Sequence, residues 1–182
     1  MNAPDEAAVL PARPIAPPTA PTGAPTGAPT GAPLGAPLGA GAGITRGAGR
    51  LLSDLGYDWL REFRLATGRR VDLMGLNRRG AFAIVEVKST LADFRADGKW
   101  RDYLDWCDSF YFAVDADFPA GVLPAEQGLI VADGFGAAIV REAAPAHLHA
   151  GRRKALTLRF ARKAARRLNV LQDDSLGKTR KF

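Results

Sequence analysis

Residues 70–88 read RVDLMGLNRRGAFAIVEVK, and both the fold and the chemistry turn on how this stretch pairs with itself. The segment Asn77-Arg78-Arg79-Gly80 is rich in turn formers and separates two strand-forming runs, Arg70–Leu76 and Ala81–Lys88, so a β-hairpin is expected. Side chains alternate between faces along a strand. The odd positions Ala81, Ala83, Val85 and Val87 are all apolar and mark a core face. The even positions run Phe82, Ile84, Glu86, Lys88, apolar first and then two opposite charges on the same side. A solvent-facing strand would be polar along its whole length. This one is expected to run beneath a covering layer and emerge into a cleft. Centring the turn at Arg79 sets Leu76 opposite Phe82, Met74 opposite Ile84 and Asp72 opposite Glu86. Opposed residues share a face with Cβ atoms about 5 Å apart. A slip of one residue would turn Asp72 away from Glu86 and take Met74 off the Phe82/Ile84 face, so the apolar pairs support the register that joins the carboxylates.

Two carboxylates this close repel each other unless a cation lies between them. Hard oxygen donors without His or Cys suit Mg²⁺ or Mn²⁺, which keeps several waters and completes its shell from a phosphate. Asp72 and Glu86 are therefore candidate metal ligands. A cation there would polarise a scissile phosphate and acidify a bound water, and the Lys88 ammonium on the same face would orient that water or stabilise the phosphorane. Asp72, Glu86 and Lys88 form the candidate catalytic set. A bare Asp/Glu-x-Lys tripeptide is common. A second one, Asp97-Gly98-Lys99, falls at a helix break rather than at a strand end.

Outward from the hairpin, Ile44, Ala48, Leu51, Leu52 and Leu55 have helical spacing, with Gly56 as a stop. Asp58–Leu65 reads as a first strand, although Trp59, Leu60 and Phe63 do not alternate cleanly. Thr90 and Asp93 resemble a capping box that opens a helical stretch to about Asp108, interrupted near Gly98, with Trp100, Tyr103, Leu104 and Cys107 on one side. Phe110–Val114, Gly128–Ala132 and Ala137–Arg141 are short strands, and Arg152–Leu168 closes the domain as an amphipathic helix. Helix, three strands, helix, further strands and a last helix predict an α/β domain, a mixed central sheet flanked by helices. Trp100, Trp106 and Cys107 are expected in the core.

The chain divides into an arm at 1–43, a domain at 44–170 and a basic tail at 171–182. The arm carries an Ala-Pro-Thr/Leu-Gly repeat from Ala20 to about Gly39 and is expected to be disordered, since it cannot bury enough apolar surface to offset its ordering entropy. It has no signal-peptide pattern. No apolar run of the roughly 20 residues that a membrane span needs occurs. Cys107 is the one cysteine, and His147 and His149 lack partners at zinc-ligand spacing. A cytoplasmic protein is expected. Residues 152–182 hold eleven Lys/Arg against Asp173 and Asp174, a net +9, whereas 44–151 carry −2. That asymmetry points to a polyanion held by one face. Arg152, Arg153, Lys154, Arg159, Arg162, Lys163 and Arg166 are candidate DNA contacts on the last helix. Lys99 is another, next to the site, where Arg101 and Tyr103 are also within reach of a backbone.

The arrangement resembles the PD-(D/E)xK nuclease superfamily, whose restriction-endonuclease-like core is a helix, three strands, a helix and a strand. A closer likeness covers 86–89, 92–97, 99–100, 103–105, 107–108, 110–114, 128–133 and 152–160. Across nearly all of 44–168 the chain is similar to the MmcB family of bacterial DNA-repair proteins. The resemblance implies a repair role, DNA as partner and possible contact with other repair factors. It places the superfamily's metal-binding acids at Asp72 and Glu86 and its lysine at Lys88. Val71 stands where the superfamily motif has proline. The superfamily often adds an acid from the first helix, where this chain has only Asp54, with Glu62 in the following strand. Two functions stay open: a Mg²⁺- or Mn²⁺-dependent DNA nuclease, and a non-catalytic DNA-binding or scaffold protein that keeps the fold. A nuclease acting on RNA is a third.

Overall fold

A computed structural model describes residues 39–173. The expected arm lies outside these residues up to position 38, as does the tail from 174 onward. Helix α1 (Ala40–Asp54) is followed by β1 (Tyr57–Arg64), β2 (Arg70–Asn77), β3 (Phe82–Val87) and the short helix α2 (Leu91–Ala96). After a 3-10 segment at Lys99–Trp106 come β4 (Ser109–Val114), β5 (Gly128–Ala132), β6 (Ala137–Arg141) and helix α3 (Ala150–Gln172). The six strands form one sheet in sequential order. β3–β4 and β4–β5 are parallel and the other neighbours antiparallel, which is the mixed α/β sheet the element order predicts.

Both faces of β3 are covered. Ala83 and Val85 pack with Ile44, Ala48 and Leu52 of α1. Phe82 and Ile84 lie on the opposite face with Trp100, Tyr103, Cys107 and α3's Leu156 and Phe160. This explains why the even positions of β3 are apolar before they become charged. Burying a side chain of this size contributes about 1.5–3 kcal/mol. Trp106 packs only at the edge of that cluster. α1 approaches the sheet closely because Gly47 and Gly49 carry no side chain. A Cβ at Gly47 would lie 2.3 Å from the Gly136 carbonyl oxygen, and one at Gly49 would lie 2.5 Å from the Trp59 ring.

The hairpin has the expected register, with Leu76 opposite Phe82 and Met74 opposite Ile84. Asn77 makes the turn: its Oδ1 accepts the Arg79 and Ala81 amides at 3.0 and 2.9 Å, and Gly80 takes φ +78°. The poor alternation of β1 also has a cause. Glu62 sits at φ +51°, which resets the alternation so that Leu60 and Phe63 face the same cluster.

Three elements differ from expectation by more than a residue. α1 begins at Ala40 rather than Ile44, because the Ala-Gly-Ala-Gly start has no apolar period to reveal it. The stretch after Thr90 is a short α-helix and a 3-10 segment rather than one interrupted helix, although Thr90 Oγ1 does accept the Asp93 amide at 3.1 Å. α3 runs to Gln172, four residues past Leu168 and into the expected tail. Its apolar stripe is buried only at Leu156 and Phe160, while Leu168 is 53 % exposed. His149 caps α3 by accepting the Gly151 amide at 3.2 Å.

Asp108 ties three elements together. Its carboxylate accepts the Phe82 amide of β3 at 2.8 Å, the Leu148 amide at 3.3 Å, and both terminal nitrogens of Arg153 at 2.6 and 2.8 Å. Burial pushes the Asp108 carboxyl up, but the Arg153 and amide hydrogen bonds outweigh it and hold it below its ordinary value. That stabilisation is present above about pH 4 and is lost as pH falls through the lowered value. Removing one partner of a half-buried charged pair leaves the other unsatisfied, so Asp108→Asn or Arg153→Met is expected to cost about 2–3 kcal/mol in urea unfolding. The double variant should cost less than the sum of the two.

Candidate active site

The sheet delivers its charged residues to a cavity of about 530 Å³ at the C-terminal end of β3. Asp72, Glu86, Lys88, Asp97, Lys99 and Tyr103 all line it. The β2–β3 ladder is regular to Leu73–Val85, which sets Asp72 and Glu86 at the next opposed position. There the Asp72 carboxylate replaces a backbone acceptor, taking the Val87 amide on Oδ2 at 2.8 Å. On the other side of β3, Glu86 pairs with Phe112 and Val87 with Ala113 of β4, and the Lys88 amide donates to the Ala113 carbonyl at 2.9 Å. β3 is thus held from both edges to its last residue. Asp72, Glu86 and Lys88 are brought together as expected.

Glu86 is only 5 % exposed and Lys88 only 3 %. The Lys88 ammonium donates to Glu86 Oε1 at 3.3 Å and to Asp97 Oδ2 at 2.5 Å. Asp97 is the site residue that sequence reasoning set aside, because its tripeptide lay at a helix break. The chain path folds that break over the end of β3. Its Oδ1 also accepts the Lys99 amide at 3.0 Å, which fixes the carboxylate.

Glu86 Oε2 is buried and has no hydrogen-bond partner. Burial, followed by the Asp72 charge, pushes the Glu86 carboxyl up to about 8. Burial raises Asp72 as well, against the Val87 amide and the Lys88 charge. For Lys88, burial works downward but Asp97 and Glu86 outweigh it, so its ammonium is held above the ordinary lysine value. Asp97 is lowered because Lys88 overcomes its own burial. Lys88 is bonded to two of the three acids, Glu86 and Asp97, Asp72 adds a further acid beside Glu86, and the buried Oε2 has no hydrogen-bond partner. Such a set fits a hard cation. Among the described residues no group of three or more His, Cys, Asp or Glu is placed to hold a metal ion by itself. Two carboxylates with waters and a substrate phosphate are the usual shell for Mg²⁺.

The candidate DNA contacts separate into groups. Lys99 is exposed at the cavity. Arg162, Lys163 and Arg166 line a groove of about 570 Å³ with Phe63, Arg64 and Leu158. Arg64 of β1 borders this groove, and Arg61 of the same strand borders the cavity, so β1 connects the two. Lys154 is exposed on the outer face of α3. Arg159 donates to the Arg64 and Leu65 carbonyls at 3.4 and 3.5 Å, and Arg167 donates to the Arg61 carbonyl, so both cover the edge of β1. Arg152 pairs with Asp105 at 3.1 Å and lies over the Trp106 ring. Arg153 is bonded to Asp108 at 2.6 Å, which ties α3 to the start of β4. Tyr103 is buried and donates to the Arg70 carbonyl at 3.2 Å, and Arg101 lies over the Trp100 ring at 4.5 Å.

No helix among the described residues is long and apolar enough to cross a membrane. No curated protein matches the chain. A solved structure of a protein of unknown function from Silicibacter pomeroyi is 48 % identical and superposes with a TM-score of 0.73, covering 76 % of this chain and 94 % of that one. A repair endonuclease from Pyrococcus abyssi aligns at 18 % identity and TM-score 0.30 over 41 % of this chain and 35 % of its own, too loose to establish a common fold. Residues 39–175 match the family described as DNA repair protein MmcB-like, from the first residue of α1's cap to beyond the end of α3. The chain belongs to the MmcB-like family of DNA repair proteins.

Proposed function

We propose that this protein is a metal-dependent nuclease that hydrolyses DNA phosphodiester bonds during repair. The observation that carries this reading is the buried, unpartnered Glu86 Oε2 at the end of the strand, in the same cavity as Asp72, whose carboxylate accepts the amide of the next residue, Val87. Asp72 and Glu86 would hold Mg²⁺ or Mn²⁺, which when bound supplies Lewis acidity to a phosphate oxygen and lowers the pKa of a coordinated water. Lys88 keeps its proton at neutral pH, because its ammonium is stabilised above the ordinary value. Its ammonium would serve as a donor that stabilises developing phosphorane charge. Asp97 is a positioning residue that fixes this ammonium from the turn after α2. Lys99, Arg162, Lys163 and Arg166 would hold the DNA backbone, with the groove along α3 leading toward the cavity.

A second reading has its own support. Lys88 is enclosed and bonded to two acids, as a purely structural ion pair would be, and a repair scaffold could keep that pair without cutting. Cleavage of labelled single-stranded, nicked, branched and duplex DNA with Mn²⁺ separates the two. Wild-type cleavage should fall about 10²–10³-fold in Asp72→Asn and in Lys88→Met, with circular dichroism unchanged. Metal-independent DNA binding, unaltered in both variants and without cleavage of any substrate, would establish the scaffold.

The raised Glu86 carboxyl makes metal binding depend on pH. In the metal-free protein Glu86 keeps its proton up to about pH 8, and a cation must displace it. Calorimetric Mn²⁺ affinity should therefore rise about tenfold per pH unit below that value and level off above it. A folded-state pKa above the unfolded one favours the fold at low pH. Metal-free stability should accordingly decline as pH rises from about 4.5 to about 8 and level off above it, and Glu86→Gln should flatten that decline. DNA affinity should fall steeply with salt. Replacing Arg162, Lys163 and Arg166 by Ala should reduce the log–log salt slope by about one for each lost phosphate contact.

A further inference from the structure

The strand pairing sets a third carboxylate level with the first two. In the β1–β2 ladder Arg61 faces Leu73 and Phe63 faces Val71, so Glu62 stands across from Asp72. Neighbouring strands are about 4.8 Å apart, and Glu62, Asp72 and Glu86 form a row across β1, β2 and β3. Glu62 also lines the cavity that contains the other two. It is the one non-glycine residue with positive φ among those described, at +51°. A side chain held in the left-handed region is disfavoured and collects where its placement serves function.

The Glu62 carboxylate is occupied. Arg70 Nε donates to its Oε2 at 2.7 Å, and both side chains are about half exposed, at 48 % and 57 % for Glu62 and Arg70. An exposed pair of this kind contributes little by itself and is readily exchanged. Arg70 opens β2 and lines the same cavity. A guanidinium binds a phosphate through two parallel hydrogen bonds, so a DNA phosphate entering the cavity competes directly for Arg70. The row faces a ligand for a reason independent of its acidity, namely the buried Glu86 Oε2 that no protein donor reaches.

We propose that Glu62 is a third metal-binding carboxylate held in reserve by Arg70, and that a substrate phosphate drawing Arg70 away releases Glu62 to the cation held by Asp72 and Glu86. The proposal rests on the metal-site reading above and adds a coupling to it. Cation and phosphate then strengthen one another's binding, and the coupling is reciprocal. The free protein holds the ion weakly, and the substrate complex holds it firmly.

The test is calorimetric titration of Mn²⁺ into the full chain, alone and with a phosphorothioate oligonucleotide that resists cleavage. Wild type, Arg70→Ala, Glu62→Gln and the double variant form a cycle. Without DNA, Arg70→Ala is expected to tighten Mn²⁺ binding about tenfold, and the same change should have less than about a twofold effect once Glu62 is Gln. The oligonucleotide should tighten Mn²⁺ binding about tenfold in wild type and not in Glu62→Gln. Glu62→Gly, whose backbone accepts positive φ without strain, should keep the melting temperature and lose the coupling in the same way. An Arg70 effect of equal size in both backgrounds, with Asp72→Asn still abolishing binding, overturns the role of Glu62 and leaves the metal site intact. Absence of Mn²⁺ binding by wild type, or binding unaltered in Asp72→Asn, overturns both.

Discussion

A carboxylate that is only 5 % exposed, with one oxygen bonded to no protein donor, is the constraint on which the rest of the structure depends. Placing Glu86 there is costly, since a buried charge must be paired or protonated. Every nearby device addresses that cost in part. Lys88 donates to the other oxygen, Asp97 secures Lys88, and the Glu86 carboxyl holds its proton far above the usual glutamate range. None of these satisfies Oε2. A fold stabilised by apolar burial on both faces of β3 can tolerate such a residue, and the tolerance is itself informative. Replacing Glu86 by an apolar side chain would be the simpler solution if stability alone mattered.

The geometry that presents Glu86 comes from backbone pairing on two sides. The Asp72 carboxylate takes the Val87 amide where the β2–β3 ladder ends, and β4 takes the Lys88 amide on the opposite edge. Charged residues at the end of a strand would ordinarily fray. Here the amides of both Val87 and Lys88 are bonded. Asp108 does the same at the start of β3, so the strand is anchored at both ends by carboxylates that accept its own amides.

Much of this was legible in the sequence, for a definite reason. A strand has a period of two, and the turn residues set its centre, so apolar pairs such as Met74–Ile84 decide the register of the polar pair beyond them. What was not legible depends on the path of the chain in space. Asp97 follows α2 and no local period marks it, yet the chain brings it to Lys88. Arg153 looks like its basic neighbours on α3, and only its partner Asp108, 45 residues earlier, distinguishes it. The left-handed Glu62 left one trace, the failed alternation of Leu60 and Phe63, which a sequence pattern registers as noise. α3 outruns its buried stripe because helix propensity continues where packing stops.

Anomalous diffraction from crystals grown with Mn²⁺ examines the central claim most directly. One strong peak is expected within coordination distance of Asp72 and Glu86, about 2.0–2.3 Å from their oxygens, with Glu86 Oε2 among the ligands. A well-ordered site without that peak, at Mn²⁺ concentrations that saturate Mg²⁺-dependent enzymes, would contradict it and leave the Glu86–Lys88–Asp97 cluster as a buried ion network of structural purpose only.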